Sequence, residues 1–359
     1  MDPCNLFDGL NIHEDDPIDI RLQQEALKNS IPLNVSFELT QSCNFSCQHC
    51  YNFDRTVSTK PQQQESILTK EEILQTLKDL KGMGAFFLCF TGGEVLLAPN
   101  LELYISEAKK LGFSIRLKSN ASLLTLEKAK KLKSLGVDDI EFSLYGATTD
   151  TYQEFTGSHY KIEEVVEGIR NATKAKIALE VNIILHRKNY KEYDQMIKIC
   201  EQLNVHYQVS IDMTVRHDGS KGSIDHRLTI EELEDFFTTE QGRKAIPDAN
   251  TSGNLQCACA RSNCGIGING EVYPCIGAPI PAGNLKNNSF QEIWNKSPVL
   301  NNIRGLNSED FKDCHKCEVK EYCARSSGLI YLNTGKYTGK EEYSCERAYL
   351  TKKLLSQKD

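Results

Sequence analysis

The sequence predicts an α/β fold: a parallel sheet with helices on one side, either an open barrel or a doubly wound sheet, followed by a smaller cysteine-rich unit. Three observations carry this. From Asn34 to about Phe237, apolar strand-like runs alternate with amphipathic helical patterns. The alternation then stops, and the remaining chain is rich in Gly, Asn and Cys. The 14 cysteines are also clustered: three lie within eight residues, eight crowd between Cys257 and Cys345, and Cys4, Cys89 and Cys200 stand alone.

In chain order, residues 1–30 read as an N-terminal extension, polar and acidic to Asp19, with a short helix from Ile20 to Asn29. Residues 31–240 hold the alternating elements. Strands are expected at Val35–Thr40, Ala85–Thr91, Ser114–Lys118, Asp139–Leu144, Ala178–Leu185 and His206–Val215. Helices are expected at Thr69–Lys81, Asn100–Leu111, Thr125–Leu135, Lys161–Ala175, Tyr190–Leu203 and Thr229–Phe237. Gly82, Gly112 and Gly136 close three of them, where a left-handed cap favours a residue without Cβ. Residues 241–254, with Pro247–Gly253, form a linker. Residues 255–359 are too short of periodic elements to build a large apolar core, so metal is expected to hold them together.

The charge balance, 42 Lys and Arg against 49 Asp and Glu, is mildly acidic. No basic stretch points to nucleic acid or a membrane surface as a partner, and no apolar run reaches the length of a membrane span. A cytoplasmic protein is therefore expected. Disulfides do not persist in that compartment, so clustered cysteines point to metal, whereas Cys89 in a strand and Cys200 in a helix point to packing.

The chain's chemistry centres on Cys43-Asn44-Phe45-Ser46-Cys47-Gln48-His49-Cys50, in the loop after the first strand. A structural zinc site needs four ligands. A four-iron cubane takes one cysteine per iron, so three cysteines leave one iron free to bind something else. This loop resembles the signature of the radical S-adenosylmethionine (SAM) superfamily, Cys-x3-Cys-x-(aromatic)-Cys, with His49 in the aromatic slot. The resemblance implies a partial (β/α)6, TIM-like barrel with Cys43, Cys47 and Cys50 holding a [4Fe-4S] cluster. It also implies that SAM on the open iron is cleaved to a 5′-deoxyadenosyl radical. Gly92, Gly93 and Glu94 then correspond to the segment that holds the SAM amino group, the carboxylate pairing with the ammonium. Ser119, Asn120, Ser143 and Asn182 correspond to further SAM contacts; short polar residues at strand ends are also ordinary helix caps.

The C-terminal cysteines resemble the SPASM extension, which binds auxiliary clusters. Cys257 precedes Gly270-x4-Cys275, then come Cys314-x2-Cys317-x5-Cys323 and a closing Cys345, with Gly283-Asn284-Leu285 and Ile293-Trp294 between. The resemblance implies three [4Fe-4S] clusters in all: Cys314, Cys317, Cys323 and Cys345 for the second auxiliary one, and Cys275 with Cys257, Cys259 and Cys264 for the first. The family's last ligand to that first cluster is missing, because Ser326 and Ser327 stand where it belongs. Whether the first cluster is closed depends on how many of Cys257, Cys259 and Cys264 ligate.

SPASM proteins of this kind modify ribosomally made peptides. The expected reaction is hydrogen abstraction followed by a Cys thioether crosslink, with a substrate sulfur on the open auxiliary iron. Carbon–carbon crosslinking and epimerisation are alternatives, the latter needing a thiol donor such as Cys89, Cys259 or Cys264. A sulfatase-maturase-like oxidation is disfavoured, since Ile276 follows Cys275 where those enzymes carry a general-base Asp. Arg216-His217-Asp218-Gly219 is expected either to touch substrate or to be a plain turn. The expected partners are a precursor peptide and a flavodoxin or ferredoxin as low-potential electron donor; with only about thirty residues before the first strand, leader recognition falls to a separate leader-peptide-binding protein or to the SPASM domain, or is not needed. Outside enzymes, the rival is an iron–sulfur electron carrier or a zinc-binding module.

Overall fold

The alternation expected from the sequence is present in the computed structural model, which describes residues 17–55, 67–249 and 255–357. Six parallel strands run β1 (Asn34–Thr40), β2 (Phe87–Gly92), β3 (Ser114–Ser119), β4 (Asp139–Leu144), β5 (Ala178–Ile184) and β6 (His206–Ser210), each neighbour following the last in sequence. One face of each of β1 to β5 is apolar and buried against helices: Val35, Phe37 and Leu39, then Leu88 and Phe90, Ile115 and Leu117, Ile140, Phe142 and Leu144, Val181 and Ile183; on β6, Tyr207 and Val209 pack there partly buried. Period-two alternation sends the polar residues to the concave face. The covering helices begin at side-chain caps, as at Thr69, whose hydroxyl accepts from Glu72 N while Glu72 reaches back. Gly112 and Gly136 take left-handed caps as expected, but Gly82 lies inside its helix, and Gly84 makes the turn at φ +89°.

Three further differences matter. A helix at Thr149–Thr156 stands between β4 and the next helix, a stretch whose polar Thr, Asp and Gln give little periodicity. The sixth strand ends at Ser210 rather than Val215. The cysteine-rich unit is continuous with the barrel: β7 (Asn263–Ile266) pairs parallel with β1, and β8 (Glu271–Tyr273) and β9 (Gly283–Asn284) extend the sheet antiparallel. Ile266, Val272, Phe290 and Trp294 accordingly belong to the barrel's own core. The N-terminal helix, Ile18–Asn29, is tied in as well, since Trp294 Nε1 donates to Ser30 O at 2.7 Å. Residues 1–16 of the N-terminal extension, with Cys4, and residues 250–254 of the linker lie outside the described residues.

Candidate functional site

The Cys43–Cys50 loop sits at the C-terminal end of β1, the end where barrel folds carry their chemistry. The loop is held from three sides. The last carbonyls of the helix Thr149–Thr156, which have no partner within the helix, accept from it: Thr156 O from Ser46 N at 2.8 Å and Phe155 O from Gln48 N at 3.0 Å. Gly157 caps that helix at φ +59°, and a Cβ there would stand 3.0 Å from Ser46 O. From below, the buried Arg216 donates to Gln48 O at 2.8 Å, and His217 N donates to Tyr51 O at 2.7 Å. Arg216-His217-Asp218-Gly219 is thus a turn that also clasps the loop. The third side is β3, where Asn120 Nδ2 donates to Asn44 Oδ1 at 2.9 Å.

Cys43, Cys47 and Cys50 line one cavity of about 140 Å³ together with Gly92, Gly93, Ser119, Asn120, Ser143 and Tyr145. Burial pushes the Cys43 thiol up to about 11 and Cys47 well above its usual value. Such thiols become thiolates only when a cation shares the site. Arg55, which the sequence did not single out, donates from Nε to Cys50 Sγ at 3.2 Å. Two residues of the cavity lining have buried polar atoms without partners, His49 Nδ1 and Arg55 Nη2, as has Asn182 Oδ1 on β5, opposite the lining residue Ser143. Three free thiols beside unpaired polar atoms fit a sulfur-ligated cluster with a polar ligand next to it. His49 stacks on Phe155 at 4.8 Å between centroids and 14° between planes, and burial holds its imidazole neutral down to about 3.

The glycines of Thr91-Gly92-Gly93-Glu94 are required by close approach. Gly92 stands at φ +136°, where a Cβ would meet Thr40 O at 2.1 Å, and a Cβ on Gly93 would meet Ser42 O at 2.2 Å. Glu94 differs from its expected role. Its carboxylate is buried and accepts from Leu96 N at 3.0 Å, Ser119 Oγ at 2.8 Å and Asn120 N at 2.8 Å. It welds the ends of β2 and β3 instead of facing the cavity as a free anion. Ser119 and Asn120 are likewise bonded within the protein, so they line the cavity with side chains already oriented.

The concave face carries charge in register. Lys118, Glu141, Glu180 and His206 pair across β3, β4, β5 and β6 in one row, and Ser143, Asn182 and Gln208 form the next row toward the cavity. Lys118 Nζ meets Glu141 at 3.0 Å, and Arg116 pairs with Asp139. On β1, burial raises the Glu38 carboxyl to about 7, although Tyr51 Oη donates to it at 3.0 Å. Glu38, Tyr51, Arg55 and Lys118 were missed because no short motif contains them; strand alternation was the available signal for Glu38 and Lys118, and nearness to Cys50 for Tyr51 and Arg55. Cys89 stands on this face opposite Arg116, half-buried, whereas Cys200 is packed in a helix.

Beyond the barrel the cysteines form two groups. Cys257, Cys259 and Cys275 are buried together with Ala278, and Tyr337 packs against them. Cys259 and Cys275 Sγ lie 2.9 Å apart, and Cys257 Sγ lies 3.1 Å from Tyr337 Oη. Cys264 is not brought to this group: it sits on β7 opposite Val35, inside the barrel's apolar core. Cys314, Cys317, Cys323 and Cys345 gather more openly, and burial together with neighbouring sulfurs raises Cys323 to about 11. Arg325 Nη1 donates to Cys314 Sγ at 3.4 Å. Among the described residues no three His, Cys, Asp or Glu side chains close tightly enough to grip a single ion. A cubane, which seats each thiolate on a separate iron, asks for a wider spacing.

Residues 37–200 match the radical SAM superfamily, and residues 257–318 match an iron–sulfur cluster-binding domain, SPASM. The AdoMet-dependent heme synthase of Methanosarcina barkeri (strain Fusaro / DSM 804) is 26% identical over 349 residues, spanning 88% of this chain and 97% of that protein. That of Oleidesulfovibrio alaskensis (strain ATCC BAA-1058 / DSM 17464 / G20) is 25% identical over 342 residues, spanning 86% and 85%. Among solved structures, Streptococcus suis SuiB bound to precursor peptide SuiA superposes with a TM-score of 0.65 at 15% identity, covering 94% of this chain and 84% of that one. Native anSMEcpe with bound AdoMet and Cp18Cys peptide gives a TM-score of 0.65 at 15% identity, covering 91% and 98%. At these identities the structural likeness establishes the fold, a radical SAM partial barrel followed by a SPASM domain. No helix among the described residues is long and apolar enough to cross a membrane.

Proposed function

Because the chain is a radical SAM enzyme with a C-terminal SPASM domain, we propose that it modifies a ribosomally made peptide, forming a thioether between a cysteine sulfur and a peptide carbon. When bound, a reduced cluster and SAM supply the 5′-deoxyadenosyl radical that removes the substrate hydrogen. The protein's share is placement. Cys43, Cys47 and Cys50 hold the cluster, Gly92 and Gly93 open room for SAM, Ser143 and Asn182 offer it polar contacts, and Arg216 with the Thr149–Thr156 helix keeps the loop fixed. The product has lost one hydrogen atom from carbon, one proton from sulfur and one electron, so an electron acceptor is needed as well as a donor. Cys257, Cys259 and Cys275, with the more exposed Cys314, Cys317, Cys323 and Cys345, are the ligand sets available for it.

The observation that carries the peptide reading is the concave face, where Glu38, Asp139, Glu141 and Glu180 outnumber Arg116 and Lys118. A peptide brings amide N–H donors to such a wall. Among the described residues β6 is the last strand of the sheet, an edge of the kind an extended peptide can join. SuiB, of similar fold, has been solved with a precursor peptide bound. The second reading is chemistry on a heme-type macrocycle, favoured by the whole-length similarity to heme synthases. Such a macrocycle would set its own carboxylates against this acidic face. Anaerobic co-expression with cysteine-containing candidate precursor peptides tests the choice. The peptide should lose two hydrogens, and its cysteine should resist alkylation after reduction. An unchanged peptide, with a carboxylated tetrapyrrole consumed by the same preparation, would overturn the proposal.

A further inference from the structure

Three sulfurs form the first auxiliary group, and among the described residues no fourth cysteine joins them. Cys264 lies in the barrel core, and serines occupy 326 and 327. Ser326 is committed elsewhere, its hydroxyl accepting from Leu329 N as a helix cap. Ser327 is buried, but its hydroxyl reaches no partner, sulfur included. Tyr337 does reach the trio, packed against it with Oη 3.1 Å from Cys257 Sγ. Its backbone is anchored: Arg325 Nη2 donates to Tyr337 O at 2.8 Å and Nη1 to Gly339 O at 2.7 Å, with the guanidinium lying 4.9 Å over the Phe311 ring. This buried arginine also reaches Cys314 of the second group, so the position of Tyr337 is fixed relative to both sets of thiols.

We propose that Tyr337 is the fourth protein ligand of the first auxiliary cluster, its phenolate oxygen taking the corner left without a cysteine. Ligation releases the phenol proton to solvent and involves no redox change, as for any protonated donor that binds a metal. Iron accepts tyrosinate in other protein sites. A phenolate is a harder ligand than a thiolate, so a substrate thiol can exchange for it at a site suited to soft donors, its proton passing to the departing phenolate. The corner is thus covered at rest yet open to the sulfur of the peptide. The ligand assignment goes beyond the proposed function and does not depend on which substrate is used.

The experiment uses the full chain with Cys43, Cys47 and Cys50 all changed to alanine, so that only auxiliary clusters are reconstituted under anaerobic conditions. Resonance Raman spectra should show phenolate modes that shift when the protein is grown on ring-deuterated tyrosine. Those modes should vanish in Tyr337→Phe and survive in Ser327→Ala. Tyr337→Cys should keep the iron and sulfide content of the parent, show an all-thiolate spectrum and shift one midpoint potential to lower values. If Tyr337→Phe does not take up the first cluster, recovery of its iron in Tyr337→Cys still supports ligation. Parent spectra without phenolate modes, or modes that persist in Tyr337→Phe, would overturn it. A potential shift in Tyr337→Phe with no phenolate modes in the parent would also overturn it, by making the tyrosine only a hydrogen-bond donor to Cys257. Because this variant cannot cleave SAM, either result leaves the peptide reading to stand or fall separately.

Discussion

The two ends of the molecule gather sulfur in opposite ways. Cys43, Cys47 and Cys50 lie within eight residues on a loop whose amides and carbonyls are bonded to a helix end, to Arg216 and to β3. The C-terminal thiols come from segments 88 positions apart, Cys257 to Cys345, and one arginine, Arg325, joins Cys314 of one group to the backbone of Tyr337 beside the other. The first arrangement is imposed by the fold before any metal binds; the second leans on its metal. Catalysis that starts at the first should therefore survive damage to the second. The sharpest test is the pair Cys43→Ala and Cys317→Ala. Cys43→Ala should reduce 5′-deoxyadenosine formation to background in an anaerobic assay with dithionite and SAM. Cys317→Ala should keep SAM cleavage while peptide product disappears. Equal loss in both assays would erase the distinction.

Next in size is Gly93→Ala. The added Cβ would stand 2.2 Å from Ser42 O and 2.7 Å from Gln41 O, both backbone, so the loop ahead of Cys43 must move. A displacement of about 1 Å at a reacting centre costs on the order of 100-fold, and SAM cleavage should fall by that much. The C-terminal clusters, read by their EPR signals, should be unchanged. A normal rate would mean that the tight turn does not set the geometry of the cysteine loop.

The same contrast explains what could be read from the sequence. Each sheet strand of the barrel shows its buried face in alternation, and Cys43–Cys50 is a local motif, so both were legible. The helix Thr149–Thr156 that braces the loop was not, because its composition is polar and its partners lie 106 to 110 residues away. Cys264 could not be separated from Cys257 and Cys259 by spacing. The separation comes from β7 pairing with β1, a long-range register that places Cys264 beside Val35. Glu94 was legible in place but not in role, since two of its three donors, Ser119 Oγ and Asn120 N, come from the end of β3, 25 and 26 residues on.

A smaller effect comes from Glu38, on the inner face below the cysteine loop. Burial lifts its carboxyl from 4.5 to about 7, so the folded state prefers it protonated. Its contribution to stability is fully present below pH 4.5 and is lost as the pH rises through 7. Glu38→Gln removes that dependence. At about pH 8 the variant should be more stable than the parent by up to about 3 kcal/mol, less what weaker bonds from Tyr51 and Gln41 cost. Below the carboxylate range it should gain nothing. Urea melts of the anaerobic protein at both ends of this window decide it; a gain of equal size at both would mean that relief of packing, not charge, is responsible.

The smallest effect is expected at His49, inside the cysteine motif itself. Its ring stacks on Phe155, its Nδ1 has no partner, and burial keeps it uncharged. An unsatisfied buried polar atom costs about 1–3 kcal/mol, so His49→Phe should keep the stack and stabilise the protein by about 1 kcal/mol. Formation of 5′-deoxyadenosine should stay within about twofold of the parent, a change of under about 0.5 kcal/mol in barrier. A tenfold loss would show that Nδ1 is spent on the bound ligand, and that the braced loop contributes a polar contact as well as its three sulfurs.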